Sequence, residues 1–199
     1  MSLFDKLKAR MHYLFGIKLI NKAEYASAVN EITTAISVSP KPEYYKNRGY
    51  AQLMLGNLNE AYLDLNHVIG DATTTITDPT AYYIRGNIYT ARREYSLALR
   101  DYKEAMQLKP KYHDAMNNAA TVCEKLKKKD EALQYYGQAI KATPGNGAYL
   151  FNRGTFYWET NRRKEAVADF ERAARLGDKD AQAALKRVGK GFLITKSWK

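Results

Sequence analysis

Residues 78–111 read DPTAYYIRGNIYTARREYSLALRDYKEAMQLKPK, and this stretch decides the fold. Its first half carries Tyr82, Gly86 and Tyr89 on one face, and its second half carries Ala98, Tyr102 and Ala105. Spacings of three, four and seven are those of an amphipathic helix and not of a strand. Asp78 is a good N-cap, and Pro79 is preorganised for a first helical turn. Ala91–Glu94 is the expected turn between two helices, and Pro110 ends the unit.

The unit recurs. Small residues stand at Gly16, Gly49, Gly86, Ala120 and Gly154, and an alanine follows each by twelve: Ala28, Ala61, Ala98, Ala132 and Ala166. Both series step by 33, 37, 34 and 34. Four residues past each alanine comes a bulky side chain (Ile32, Leu65, Tyr102, Tyr136, Phe170), and three further on a smaller one (Ala35, Val68, Ala105, Ala139, Ala173). A helix pair repeating near 34 residues is the period of a solenoid. The physics suits it, because a hairpin this short cannot bury its apolar face alone, whereas stacked neighbours bury it together. Small residues let paired helices approach, and the bulky residue between them fills the hole.

The run from Tyr82 through Gly86, Tyr89, Ala98, Tyr102 and Ala105 to Pro110 resembles the tetratricopeptide repeat (TPR). The resemblance covers residues 9–178 in five copies: 9–41, 42–75, 79–112, 113–146 and 147–178. It implies an all-α, right-handed α-solenoid of five TPR hairpins. Residues 1–8 extend the first helix, 179–190 form a C-terminal capping helix behind Asp178, and 191–199 form a tail. The stretch 70–79 is longer than the other connections and is expected to bulge at the surface.

Composition narrows the function. The net charge of +11 suits acidic partners. No apolar run is long enough to span a membrane, and the N-terminus lacks the pattern of a secretory signal. The single cysteine, Cys123, excludes an intrachain disulfide and falls at a core position, so inert packing is expected. These features favour the cytoplasm. His12, His67 and His113 have no metal-ligand spacing with Cys123. Neither a cofactor motif nor a catalytic cluster is present, so no enzyme, metal or cofactor is expected.

An internal correlation is more informative. Arg48, Arg85 and Arg153 each precede a landmark glycine, and sixteen residues after each stands Asp64, Asp101 or Asp169. The repeats with Phe15 and Ala119 at the arginine place carry Glu31 and Tyr135 at the aspartate place. A separation of sixteen carries a position on the first helix to its facing position on the second, which predicts an Arg–Asp bridge inside the repeat.

In TPR proteins the first helices line a concave groove. The resemblance therefore places Tyr13, Lys46, Asn47, Tyr50, Tyr83, Asn87, Asn118, Phe151, Asn152 and Trp158 along it. Asn47, Asn118 and Asn152 recur at one place, where an amide can pair with an extended peptide backbone. Some TPR proteins grip a C-terminal carboxylate with a lysine, asparagines and a basic pair. Here Tyr83 stands at the lysine place, and Ala148 and Asn152 stand at the basic pair, which disfavours that clamp. The intra-repeat turns collect a second, basic ridge: Arg92 and Arg93, then Lys127, Lys128 and Lys129, then Arg162, Arg163 and Lys164.

The expected function is an interaction scaffold or adaptor holding a peptide or helix of a protein partner, acidic by charge complementarity. The alternative is nucleic-acid or anionic-surface binding through the ridge. Self-association stays open, since the apolar tail and the groove could meet between chains.

Overall fold

Local signals start the helices where the sequence places them. Ser2 caps α1 (Leu3–Asn21) in a capping box: its Oγ accepts from the Asp5 N–H at 3.1 Å, and the Asp5 carboxylate accepts from the Ser2 N–H at 2.9 Å. Asp78 caps α5 (Pro79–Ala91), its Oδ1 accepting from the Thr80 N–H at 2.8 Å, and Pro79 occupies the first turn. A computed structural model describes residues 2–70 and 78–196, with side chains to residue 187. The other elements are α2 (Tyr25–Val38), α3 (Pro42–Met54), α4 (Leu58–Gly70), α6 (Tyr95–Leu108), α7 (His113–Lys125), α8 (Lys129–Ala142), α9 (Gly147–Glu159), α10 (Arg163–Arg175) and α11 (Lys179–Lys196). The described residues contain no strand.

The five intra-repeat turns share one geometry. A residue in the left-handed region follows each first helix: Ala23 (φ 60°), Gly56 (79°), Arg93 (62°), Lys127 (61°) and Asn161 (62°). The next N–H reaches five residues back, as from Glu94 to the Tyr89 carbonyl at 2.8 Å and from Lys128 to the Cys123 carbonyl at 2.9 Å. This is the Schellman ending, which satisfies orphan carbonyls and reverses the chain in few residues.

The small–large alternation then closes each hairpin. Ala28, Ala61, Ala98, Ala132 and Ala166 are fully buried, with Ile32, Leu65, Tyr102, Tyr136 and Phe170 beside them. A methyl group added at Gly49 would lie 2.2 Å from Leu65 Cδ2 and 3.3 Å from the Ala61 carbonyl oxygen. At Gly86 it would lie 2.6 Å from the Tyr102 ring. The first helix thus touches its partner where the sequence puts the glycine and the alanine.

The chain divides into two compact units, one ending at Pro110 and one beginning at Lys111. Neighbour-only contacts are the reason: in a repeat array any seam between repeats is a place to divide. In the first unit α2 packs on α3 and α4 on α5; in the second, α8 packs on α9 and α10 on α11. Asp178 caps α11 through the Ala181 N–H at 2.8 Å, and Ala181 is buried. The helix runs to Lys196 rather than ending near 190, since a glycine inside a helix costs only about 1 kcal/mol and does not stop it. The expected bulge falls mostly on 71–77, and the end of the tail on 197–199; both lie outside the described residues.

Candidate functional site

Three hairpins carry the arginine and aspartate at facing positions. Arg48 Nε and Nη2 donate to the two Asp64 oxygens at 2.8 and 2.7 Å. Arg85 does the same to Asp101 at 2.6 and 3.1 Å, and Arg153 to Asp169 at 2.7 and 2.8 Å. The planar guanidinium matches the carboxylate fork, so each pair is bidentate. Asp101 is fully buried. Its hydrogen bonds to Asp64 hold the Arg48 guanidinium above its ordinary value against the effect of burial. Arg48 and Arg85 also reach the preceding hairpin: Nη1 of Arg48 donates to Thr33 Oγ1 at 3.1 Å, and Nη1 of Arg85 to Asn66 Oδ1 at 2.8 Å. Each therefore joins three helices. The first repeat lacks the arginine, yet Glu31 is tied all the same, to His12 Nδ1 at 2.7 Å from one turn earlier on α1.

On the first unit's first helices, the expected groove residues are half-buried and partly engaged. Tyr13 stacks on Tyr44 with ring centroids 4.3 Å apart. Asn47 donates one amide hydrogen to the Tyr13 hydroxyl and the other to the Glu43 carbonyl, each at 2.8 Å. Its place, two before the landmark glycine, therefore lies in the seam between consecutive first helices, and its amide nitrogen is already occupied. Lys46 pairs with Asp78; burial would raise that carboxyl, but the Lys46 ammonium and the Thr80 N–H hold it below its ordinary value. Tyr25 and Tyr50 meet edge to face at 6.3 Å. Burial, and then the proximity of Tyr25 and Tyr83, pushes the Tyr50 hydroxyl up. Tyr83 lies 6.1 Å from the Tyr102 ring, and Asn87 Oδ1 accepts from the Tyr102 hydroxyl at 2.8 Å.

In the second unit an amide chain links two first helices: Asn152 Nδ2 donates to Asn117 Oδ1 at 3.0 Å, and Asn117 Nδ2 to Asn118 Oδ1 at 3.3 Å. Asn117, beside the predicted Asn118, is the buried member, and the three-residue recurrence does not single it out. Phe151 packs near Phe170 at 5.7 Å. Trp158 carries the Arg163 guanidinium 3.7 Å above its ring.

Three of the eight ridge cations are engaged locally by polar groups, two of them by carboxylates. Arg92 is half-buried and reaches the preceding hairpin, donating to the Leu58 carbonyl at 3.0 Å and Asn59 Oδ1 at 2.7 Å, with its guanidinium 4.7 Å from the Tyr62 ring. Lys128 pairs with Glu131 at 2.9 Å, and Arg162 with Glu165 at 2.8 Å. Arg93, Lys127, Lys129 and Lys164 are exposed. Cys123, the one cysteine of the sequence, is buried. Among the described residues no group of three His, Cys, Asp or Glu could hold a metal ion, and no helix is long and apolar enough to cross a membrane.

Stacked helical hairpins with a small–large seam and left-handed turns define a helical-hairpin repeat protein. The family model described as tetratricopeptide repeat matches residues 79–112, and a second of the same description matches 125–184. The chain belongs to the tetratricopeptide-repeat family. It is 31% identical to human tetratricopeptide repeat protein 6 over 150 residues, which is 74% of this chain and 27% of the relative. The chain spans between 17% and 35% of the length of the curated relatives it matches. A thermophilic TPR protein of Thermus thermophilus superposes with a TM-score of 0.73 at 19% identity, over 91% of this chain and 97% of that one. YrrB, described as a TPR protein with an unusual peptide-binding site, superposes with a TM-score of 0.68 at 17% identity, over 88% and 90%. These structures share the all-α solenoid fold. The family is one of protein–protein interaction scaffolds.

Proposed function

We propose that the chain is an interaction module, a scaffold or adaptor, whose first helices hold an extended peptide or a helix of a protein partner. The observation that carries this reading is the aromatic and amide surface on those helices: half-buried Tyr50 and Tyr83 in the first unit, with Tyr25 of α2 set against Tyr50, and in the second the chain of buried Asn117 with Asn118 and Asn152, beside Phe151. Tyrosines supply rigid contact area, and an amide oxygen, such as that of Asn47 or Asn152, can accept from a peptide N–H. The peptide-binding site ascribed to YrrB is consistent with it. The net charge of +11 supports an acidic partner, with on-rate set by the cations. Binding of nucleic acid through the turn ridge has less support, because Arg92, Lys128 and Arg162 already have partners.

The test is affinity capture with mass spectrometry on wild type, on Tyr50→Ala with Phe151→Ala, and on Asn47→Ala with Asn118→Ala and Asn152→Ala. Both variants should lose the same wild-type partners and keep a helical circular dichroism spectrum. Partners retained by both folded variants overturn the groove. Since Asn47 and Asn152 also bridge repeats, the aromatic pair is the cleaner arm.

A further inference from the structure

The outer face of α1 is bare and apolar. Leu3 and Phe4 are each 74% exposed, Met11 is 70% exposed, and Leu7, Leu14 and Phe15 are exposed beside them. At 3.6 residues per turn these six side chains fall within an arc of about 120°, the width of an ordinary helix-packing face. Phe4, Leu7, Met11 and Leu14 step by three, four and three, the rhythm of a knobs-into-holes seam. The opposite side, with Ala9, Gly16 and Leu19, is buried in the first hairpin. Exposed Lys8 borders one edge of the bare face, and exposed Arg10 and Lys6 border the other.

The repeat register identifies what such a face receives. Met11 and Leu14 stand five and two residues before the landmark glycine, the places held by Ala81 and Ile84 on α5. Ala81 and Ile84 are buried against Ala61, Leu65 and Val68, the apolar side of the preceding hairpin's second helix. Tyr44, at the same place on α3, is buried against Ile32 and Ala35 of α2. The equivalent face of α1 is built to the same pattern, and none of the described helices covers it. It is also longer: α1 begins thirteen residues before its glycine and α3 and α5 begin seven before theirs, and the added turns bring Leu3, Phe4 and Leu7.

We propose that α1 docks an amphipathic α-helix of a protein partner whose apolar stripe is flanked by acidic residues. The flanks choose the occupant. A second copy of α1 would bring Lys8 and Arg10 against their own kind, a like-charge juxtaposition that works against pairing. A helix bearing Glu or Asp at its edges meets those cations with opposite charge while its apolar knobs enter the seam. An anionic bilayer would also meet basic edges, but it does not require the three–four register shared with the covered face of α5. The two surfaces adjoin at Leu14, which holds the repeat place of Asn47, whereas Leu7 and Met11, the positions tested, are not among the groove residues, so either reading can fail without the other.

The probe is a fluorescein-labelled designed helical peptide of about three heptads, long enough to be helical when bound, with Leu at a and d and Glu at the flanking positions. The control carries Lys at those flanks. Fluorescence anisotropy should show the Glu-flanked peptide binding at least tenfold more tightly than the control, with the gap shrinking at high salt. Leu7→Asp and Met11→Asp, which alter exposed side chains and should keep the wild-type melting curve, should each lose binding at least tenfold. Lys8→Glu with Arg10→Glu should reverse the preference between the two peptides. Equal binding of the two peptides by wild type, no binding of the Glu-flanked peptide, or binding that survives Leu7→Asp overturns the proposal. So does a concentration-dependent dimer in sedimentation equilibrium that Leu7→Asp abolishes, which assigns the face to a second copy. Co-sedimentation with phosphatidylserine-containing vesicles, lost on Leu7→Asp and unaffected by excess Glu-flanked peptide, overturns it in favour of a membrane surface.

Discussion

Repeat three and repeat four build the same hairpin with different ties. In repeat three the Arg85 guanidinium clamps the buried Asp101 carboxylate and also reaches Asn66. In repeat four Ala119 stands at the arginine place, Tyr135 at the aspartate place, and Ala120 replaces the glycine. There the buried Tyr136 hydroxyl donates to Glu124 at 2.6 Å instead. Both hairpins close through the same small–large contact, Ala98 with Tyr102 and Ala132 with Tyr136. The packing pattern therefore suffices for the hairpin, and the Arg–Asp pair is an added constraint that repeats one and four omit.

The largest expected effect follows from that added constraint. Asp101→Ala leaves a half-buried guanidinium without its carboxylate and should cost about 3 kcal/mol or more, a melting-temperature loss on the order of 10 °C for a chain of this size. Tyr135→Ala, at the equivalent place in repeat four, should cost only about 1 kcal/mol. Replacing both partners, Arg85→Met with Asp101→Leu, should recover most of the loss, since no unpaired charge remains. Equal costs for Asp101→Ala and Tyr135→Ala in thermal denaturation would erase the distinction between the two repeats. Overpacking tests what they share: Ala98→Leu and Ala132→Leu should each cost about 1 to 3 kcal/mol. Unchanged melting in either would contradict the register of that repeat.

This contrast also explains what the sequence could and could not reveal. The Arg–Asp fork was legible because both residues lie in one hairpin, and sixteen residues is a fixed distance once the turn is fixed. Helix ends and the glycine crossings were legible for the same reason. Ties between hairpins were not. Asn47 reaches Tyr13 and Arg92 reaches Asn59, at separations of 34 and 33, and only the stacking of one hairpin on the next sets those pairings. A recurring amide therefore read as a free peptide contact, and a turn arginine as part of a ridge, although both already bridge neighbours. The first repeat hid its tie differently. Glu31 found His12 one turn away from the expected partner position, a substitution no fixed spacing signals. The bare stripe on α1 was visible as Leu3, Phe4, Leu7, Met11, Leu14 and Phe15, but only the structure separates those exposed side chains from the buried ones on the same helix.

The two ties should also differ with pH. Burial raises the Glu124 carboxyl above its ordinary value of 4.5, and nearby Glu159 pushes the same way, against the Tyr136 hydrogen bond. A carboxyl raised on folding binds more protons in the folded state within the window between its unfolded and folded values. Its favourable contribution is present below about 4.5, is lost as pH rises through the folded value, and stays constant above it. Glu124→Gln cannot titrate. Relative to that variant, wild type should lose stability as pH rises from 4.5 towards neutrality and then run parallel to it. Denaturation midpoints measured across that range decide the matter, and parallel curves throughout would remove the buried carboxyl from the account of repeat four.

The smallest effect lies in the turns, where repeats three and four should behave alike. Arg93 and Lys127 hold nearly the same left-handed φ, 62° and 61°, while repeat two uses Gly56 at the corresponding place. A left-handed residue with a side chain costs about 1–2 kcal/mol, and glycine gives back about 0.5–1 kcal/mol in unfolded-state entropy. Arg93→Gly and Lys127→Gly should each stabilise by about 0.5 kcal/mol, a rise in melting temperature of roughly 1–2 °C. Gly56→Arg should lower it by a similar or larger amount, through strain and not collision, because a Cβ there meets nothing within 4 Å. A gain at Lys127 with a loss at Arg93 would show that the exposed Arg93 side chain contributes a contact its turn geometry does not reveal, and would extend the difference between the two repeats from their cores to their turns.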